Sequence, residues 1–163
     1  MKTRLRVIRP LDENAVLDIL TDSTIKQTYM LPDYERREDA LPLFRRMVEL
    51  SEDEARYVRG IYLDDLLIGF LNDVEIKDNA IELGYVIHPD HHGKGYMTQA
   101  LRISIEELFD LGYREIICGA FEENAASIRV MEKAGMTVIN QTEQIEYQGK
   151  THRCLYYSIK REV

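Results

Sequence analysis

The chain has 163 residues, 45% of them apolar and 31% charged. That composition predicts a single soluble domain over 1–163, long enough to bury a sizeable core without cross-links. Its 21 Lys+Arg stand against 29 Asp+Glu, a formal charge of −8, which removes the basic footprint of a phosphate-neutralising nucleic-acid binder. Cys118 and Cys154 lack CxxC spacing and read as reduced thiols of a cytoplasmic protein. No apolar run approaches the ~20 residues of a bilayer span, and MKTRLRVIRP has no apolar core of a secretory signal. No membrane role is expected.

Residues 3–9 alternate polar and apolar and predict a strand. Leu11, Val16, Leu17 and Leu20 form a helical stripe over 11–20, with Asp12 and Glu13 in its first turn. Residues 21–36 are ambiguous, and Pro32 breaks any helix there. A second stripe, Leu41, Phe44, Met47, Val48 and Leu50, predicts a helix over 38–50. Strands over 56–63 and 66–75 flank Asp64-Asp65, residue types that tolerate a tight hairpin turn.

A strand over 80–88 sets Ile81, Leu83, Tyr85 and Ile87 on one face and Glu82, Gly84 and Val86 on the other. HPDHHGKGYMTQA then leads into a helix ending near Leu111, with Gly112 as its C-terminal cap. REIICGAF, 114–121, is apolar at most positions and predicts a strand buried on both faces. Asn124 caps a helix with the stripe Ile128, Met131 and Ala134, ended by Gly135. Strands over 136–147 and 152–160 flank Gln148-Gly149-Lys150. The order β-α-α-β-β-β-α-β-α-β-β makes the strands at 80–88 and 114–121 parallel, joined by a crossover helix. The fold class is mixed α/β.

Gly93-Lys94-Gly95-Tyr96-Met97-Thr98 lies between a strand and an amphipathic helix. The first amides of a helix have no internal partners, and glycines let the backbone close around an anion. GxxxxGK[ST] is absent, and the third glycine of a dinucleotide fingerprint falls on Thr98.

The run ELGYVIHPDHHGKGYMTQAL, followed by ENAASIRVMEKAGM, resembles the GCN5-related N-acetyltransferase (GNAT) superfamily, most closely its ribosomal-protein (RimJ/RimL-like) branch. The resemblance implies a mostly antiparallel seven-stranded sheet with a splayed parallel central pair and helices on both faces. It implies an acetyl-CoA cosubstrate and no metal. The pattern [Q/R]-x-x-G-x-[G/A] falls on His92, Gly93, Lys94, Gly95, Tyr96 and Met97, with His92 and Met97 departing from it. These residues and Thr98 would cradle the coenzyme A diphosphate. Val86, Ile87 and His88 would run beside the pantetheine arm like an added strand, and Asn124 would reach its amide or an ordered water.

Acetyl transfer needs a neutral amine, a polarised thioester carbonyl and a stabilised leaving thiolate. Glu82 is the candidate base, with Glu75 as a weaker substitute. Ser127, three residues after Asn124 on the same helix face, is the candidate partner of the thiolate. The tyrosine that many superfamily members carry four positions later is Met131 here. Tyr85, Tyr147 and Tyr156 remain further donors, and His152 is unassigned. His88, His91 and His92 lack a completing metal ligand and read as the rim of the loop. The acidic balance favours a cationic acceptor such as a peptide N-terminus, a polyamine or an amino sugar, and exposed strand edges leave homodimerisation open. The alternative is a coenzyme A-binding sensor or assembly module without turnover.

Overall fold

The computed structural model describes residues 1–162. The chain forms two compact units, Met1–Asp73 with Tyr85–Ala100, and Val74–Gly84 with the chain from Leu101 onward. The seven strands run in the order β1-β2-β3-β4-β5-β7-β6. The order of strands and helices along the chain matches the sequence reading, as does the mixed sheet.

In the first unit, β1 (Thr3–Arg6) pairs antiparallel with β2 (Val58–Leu63), and β2 with the first part of β3 (Leu66–Lys77). Asp64 takes φ 51° at the β2–β3 turn, as its residue type allows. β1 stops three residues short of the expected strand. The Ile8 amide leaves the ladder to donate to Ser51 Oγ at 2.7 Å, and Pro10 has no amide to give.

The helix expected at 11–20 begins as a 3₁₀ turn, Pro10–Asp12, and becomes α1 only at Glu13–Leu20. Asp12 folds its carboxylate back onto the Arg9 amide (2.8 Å) and guanidinium (3.1 Å), and accepts from Tyr62 Oη at 2.6 Å. The ambiguous stretch holds a 3₁₀ turn at Ile25–Gln27, which Asp22 Oδ1 fixes by accepting the Thr24 and Ile25 amides. After another 3₁₀ turn, α2 runs Leu41–Glu52 with Pro42 in its first turn. Val16, Leu20, Phe44, Tyr62, Phe70 and Val86 belong to the apolar core of this unit.

In the second unit, β4 (Ala80–Ile87) pairs in parallel with β5 (Glu115–Phe121), from Ala80 opposite Glu115 to Leu83 opposite Cys118. β7 (Lys150–Lys160) lies antiparallel to both β5 and β6 (Thr137–Tyr147). α3 (Tyr96–Asp110) is shared by the two units; α4 (Ala125–Lys133) belongs to the second. Gly112 (φ 105°) and Gly135 (φ 92°) follow these helices in the left-handed conformation of a C-terminal cap.

Two expectations need correcting. β5 is fully buried on one face, where Ile116, Cys118 and Ala120 are covered, whereas on the other Glu115, Ile117 and Gly119 are partly exposed and only Phe121 is buried. On that second face Phe121 is buried with Cys154 and Tyr156, and Ile117, Ile139, Ile145 and Tyr147 pack against them in a small apolar cluster. The alternation expected along β4 holds to Leu83 and then fails, since Val86 and Ile87 are both buried. Val86 joins the first unit's core, and Gly69 packs so close that a Cβ there would lie 2.3 Å from Val86 O. Among the described residues no helix is long and apolar enough to cross a membrane.

Candidate functional site

The glycine loop lies in the first unit. β4 ends at Ile87, and the His88 amide donates to Ile68 O at 2.7 Å. A 3₁₀ turn, Pro89–His91, follows. His88 Nδ1 accepts from the Asp90 amide at 3.1 Å. His92 folds back, its ring Nε2–H donating to Ile87 O at 2.9 Å and its amide to Pro89 O at 3.1 Å. Burial, then the charges of Lys94 and His88, lower the pKa of His91. The three histidines thus have separate roles, and among the described residues no group of three His, Cys, Asp or Glu could hold a metal ion.

Gly93 (φ 73°) and Gly95 (φ 80°) both take left-handed backbone, with nothing within 4 Å of where a Cβ would stand. The first hydrogen bond of α3 runs from the Gln99 amide to Gly95 O at 3.1 Å. Among the described residues, the amides of Gly93, Lys94, Gly95, Tyr96, Met97 and Thr98 therefore have no acceptor. Six consecutive donors at the positive end of a helix fit the oxygens of a diphosphate. Lys94 is exposed beside them, its Nζ 3.4 Å from Asp90 O. The side chains of Met97 and Thr98 are buried, so the bulk of Met97, a departure from the glycine or alanine of the pattern, is taken up by the interior.

The second unit holds Glu82, Asn124 and Ser127. Asn124 caps α4, its Oδ1 accepting from the Ser127 amide at 3.2 Å. Its own amide donates to Phe121 O at 2.8 Å, and among the described residues its side-chain NH₂ has no acceptor. Met131 is wholly buried. Glu82 is partly exposed in a 430 Å³ cavity with Glu75, Arg114, Glu115, Ile117 and Gln141. Burial raises its pKa, and the charges of Glu75 and Glu143 raise it further. A carboxyl raised in this way is a stronger proton acceptor than an isolated one.

Two arrangements escaped the sequence reading. Tyr156, 5% exposed, donates its hydroxyl to Glu143 Oε2 at 2.6 Å. His152 stacks on Phe121 at 4.2 Å between ring centres, with Nδ1 against the Glu123 carboxylate. Counting back from the two-residue turn Gln148-Gly149 pairs Tyr147 with Lys150 and Glu143 with Cys154. That count brings Glu143 near Tyr156; the sequence reading placed Lys150 in the turn, whereas it is the first residue of β7. Cys118 and Cys154 are buried and unpaired by disulfide, and burial pushes both thiols up. Neither is an activated nucleophile.

The acetyltransferase (GNAT) domain profile matches residues 2–137. Probable N-acetyltransferase YjcK of Bacillus subtilis (strain 168) is 31% identical over 148 residues, 83% of this chain and 82% of that protein. The solved RimL ribosomal L7/L12 alpha-N-protein acetyltransferase, in complex with coenzyme A, superposes with a TM-score of 0.87 at 20% identity, covering 98% of this chain and 94% of that one. Spermidine N-acetyltransferase from Vibrio cholerae, solved with coenzyme A and spermine, gives a TM-score of 0.82 at 19% identity, covering 98% and 95%. At these identities the two structures share the fold. The matched profile spans most of the chain and YjcK aligns over four fifths of it, so the chain belongs to the GNAT family of acetyltransferases.

Proposed function

We propose that the chain is a single N-acetyltransferase domain that moves the acetyl group of acetyl-CoA directly onto a primary amine within a ternary complex. The observation that carries this is the row of six acceptor-free amides, Gly93 to Thr98, with open space beside both left-handed glycines. Bound there as cosubstrate, acetyl-CoA supplies an activated thioester and needs no metal. The loop amides hold the diphosphate, each charge-assisted contact contributing about 1.5–3 kcal/mol net. The backbone at Val86, Ile87 and His88 lies along the pantetheine, and the Asn124 NH₂ donates to its amide carbonyl. Glu82 takes the proton of the incoming ammonium. Ser127 donates to the departing thiolate. Orientation of the two substrates supplies much of the acceleration.

The acceptor class is a peptide or protein N-terminus or a small cationic amine. The overall charge of −8 and the carboxylates around Glu82 support a cationic acceptor. So does the spermine named with the Vibrio cholerae neighbour. The Asn124-x-x-Ser127 spacing, with Met131 in place of tyrosine, and the RimL neighbour support the ribosomal-protein branch. We place the enzyme in the cytoplasm, acting without nucleic acid or membrane, as a monomer or homodimer. Met131 also favours a second reading, a coenzyme A-binding module without turnover, because the buried thioether cannot act as an acid.

Calorimetry with acetyl-CoA, then thiol release across peptide N-termini, polyamines and amino sugars, tests both readings. Micromolar binding and turnover of one amine class are expected. Glu82→Gln and Ser127→Ala should each lower kcat by roughly 10² or more while leaving coenzyme affinity nearly intact. Binding without turnover of any amine leaves the module, and absence of binding refutes both.

A further inference from the structure

The partly open face of the second unit's sheet brings a buried tyrosine and two further carboxylates toward Glu82. Glu82 is opposite Ile117, Ile117 opposite Ser158, Gly119 opposite Tyr156, and Glu143 opposite Cys154. Paired residues share a face, and every second residue along a strand returns to it. Glu82, Gly119, Tyr156, Cys154 and Glu143 therefore project from the same side. Gly119 leaves room for the Tyr156 ring: a Cβ there would lie 2.8 Å from Tyr156 Cε1 and 3.1 Å from Cys154 Sγ. The ring thus leans over Gly119 of β5, and its hydroxyl holds Glu143 Oε2 at 2.6 Å.

We propose that Tyr156 and Glu143 are positioning residues for Glu82. The buried phenol pins the Glu143 carboxylate on the partly open face, and that fixed negative charge strengthens Glu82 as acceptor of the ammonium proton. The inference rests on Glu82 being the base. Other groups face the same space. Glu75 and Lys77 come from β3, Asp78 from the β3–β4 turn, Glu115 from the start of β5 and Arg114 from the residue before it. Cys154 on β7 and Cys118 on β5 also feel the charge of Glu82. Glu75 acts in the same sense as Glu143, and the upward shift of Glu82, led by burial and then by these two charges, agrees with the geometry.

The test is a ¹³C NMR titration of the glutamate carboxyls in the protein without coenzyme, with Glu82 assigned by the signal lost in Glu82→Gln. Glu143→Gln keeps an acceptor for the Tyr156 hydroxyl and removes only the charge. In that variant the Glu82 midpoint should fall, and the acid limb of kcat/KM should move to lower pH with it. Tyr156→Phe should shift both in the same direction, less far, because Glu143 then loses its anchor. A Glu82 midpoint unmoved in Glu143→Gln overturns the inference even if Glu82→Gln is inactive. A fully active Glu82→Gln removes the base reading instead, and with it the positioning role.

Discussion

Replacing Gly69 by alanine tests the placement of the strand proposed to run beside the coenzyme. The added Cβ would stand 2.3 Å from Val86 O and 3.0 Å from Ile87 Cα. Ordinary contact is about 3.5 Å, so β3 and β4 must part by roughly 1 Å. Both obstacles are backbone, so no side-chain rotation relieves them. The His88–Ile68 hydrogen bond, 2.7 Å, would stretch beyond bonding range. Overpacking costs about 1–3 kcal/mol and the lost bond about 1 kcal/mol. For a chain of this size the sum lowers Tm by roughly 5–15 °C. Calorimetric unfolding and acetyl-CoA titration should show the loss of stability together with weakened binding. A variant with wild-type Tm and wild-type affinity would show that Gly69 does not press on this stretch of β4.

Gly95→Ala should behave differently, because nothing lies near its Cβ and only the left-handed backbone opposes the change. A stability cost of about 1–2 kcal/mol is expected, with acetyl-CoA affinity falling roughly tenfold or more; titration showing unchanged affinity would move the diphosphate elsewhere. Asp12→Ala removes the acceptor shared by the Arg9 amide and Tyr62 Oη and should cost about 1–3 kcal/mol in denaturant unfolding. Burial alone would raise the Asp12 pKa, but hydrogen bonds from Arg9 and Tyr62 outweigh it and hold the carboxyl below its ordinary range. The stability it contributes is therefore present above the ordinary carboxylate pKa and lost as pH falls through the lower folded value. Wild type and Asp12→Ala should converge in stability in acid, and a constant gap down to the lowest pH would contradict this.

The sequence carried most of the fold because its signals were local. Asp64 takes the left-handed turn its type allows, Gly112 and Gly135 end their helices, and Asn124 caps α4. The glycine loop was legible for the same reason, since unpaired amides at a helix start follow from chain geometry. Long-range pairing was not legible. β7 lies between β5 and β6, and only its pairing with β5 brings Tyr156, already beside Glu143 in the β6–β7 hairpin, over Gly119. The uneven burial of the two faces of β5 depends on which neighbours cover each, which composition cannot report. Val86 and Ile87 broke the alternation of β4 because the core of the first unit claims Val86.

The two cysteines have a practical consequence. Cys118 is fully shielded and Cys154 nearly so, and both resist ionisation at neutral pH. A chromogenic disulfide reagent added to the native protein should find little to react with. Continuous colour development would then count turnovers without a background from the catalyst, and a slow rise in an enzyme-only blank would report opening of the interior.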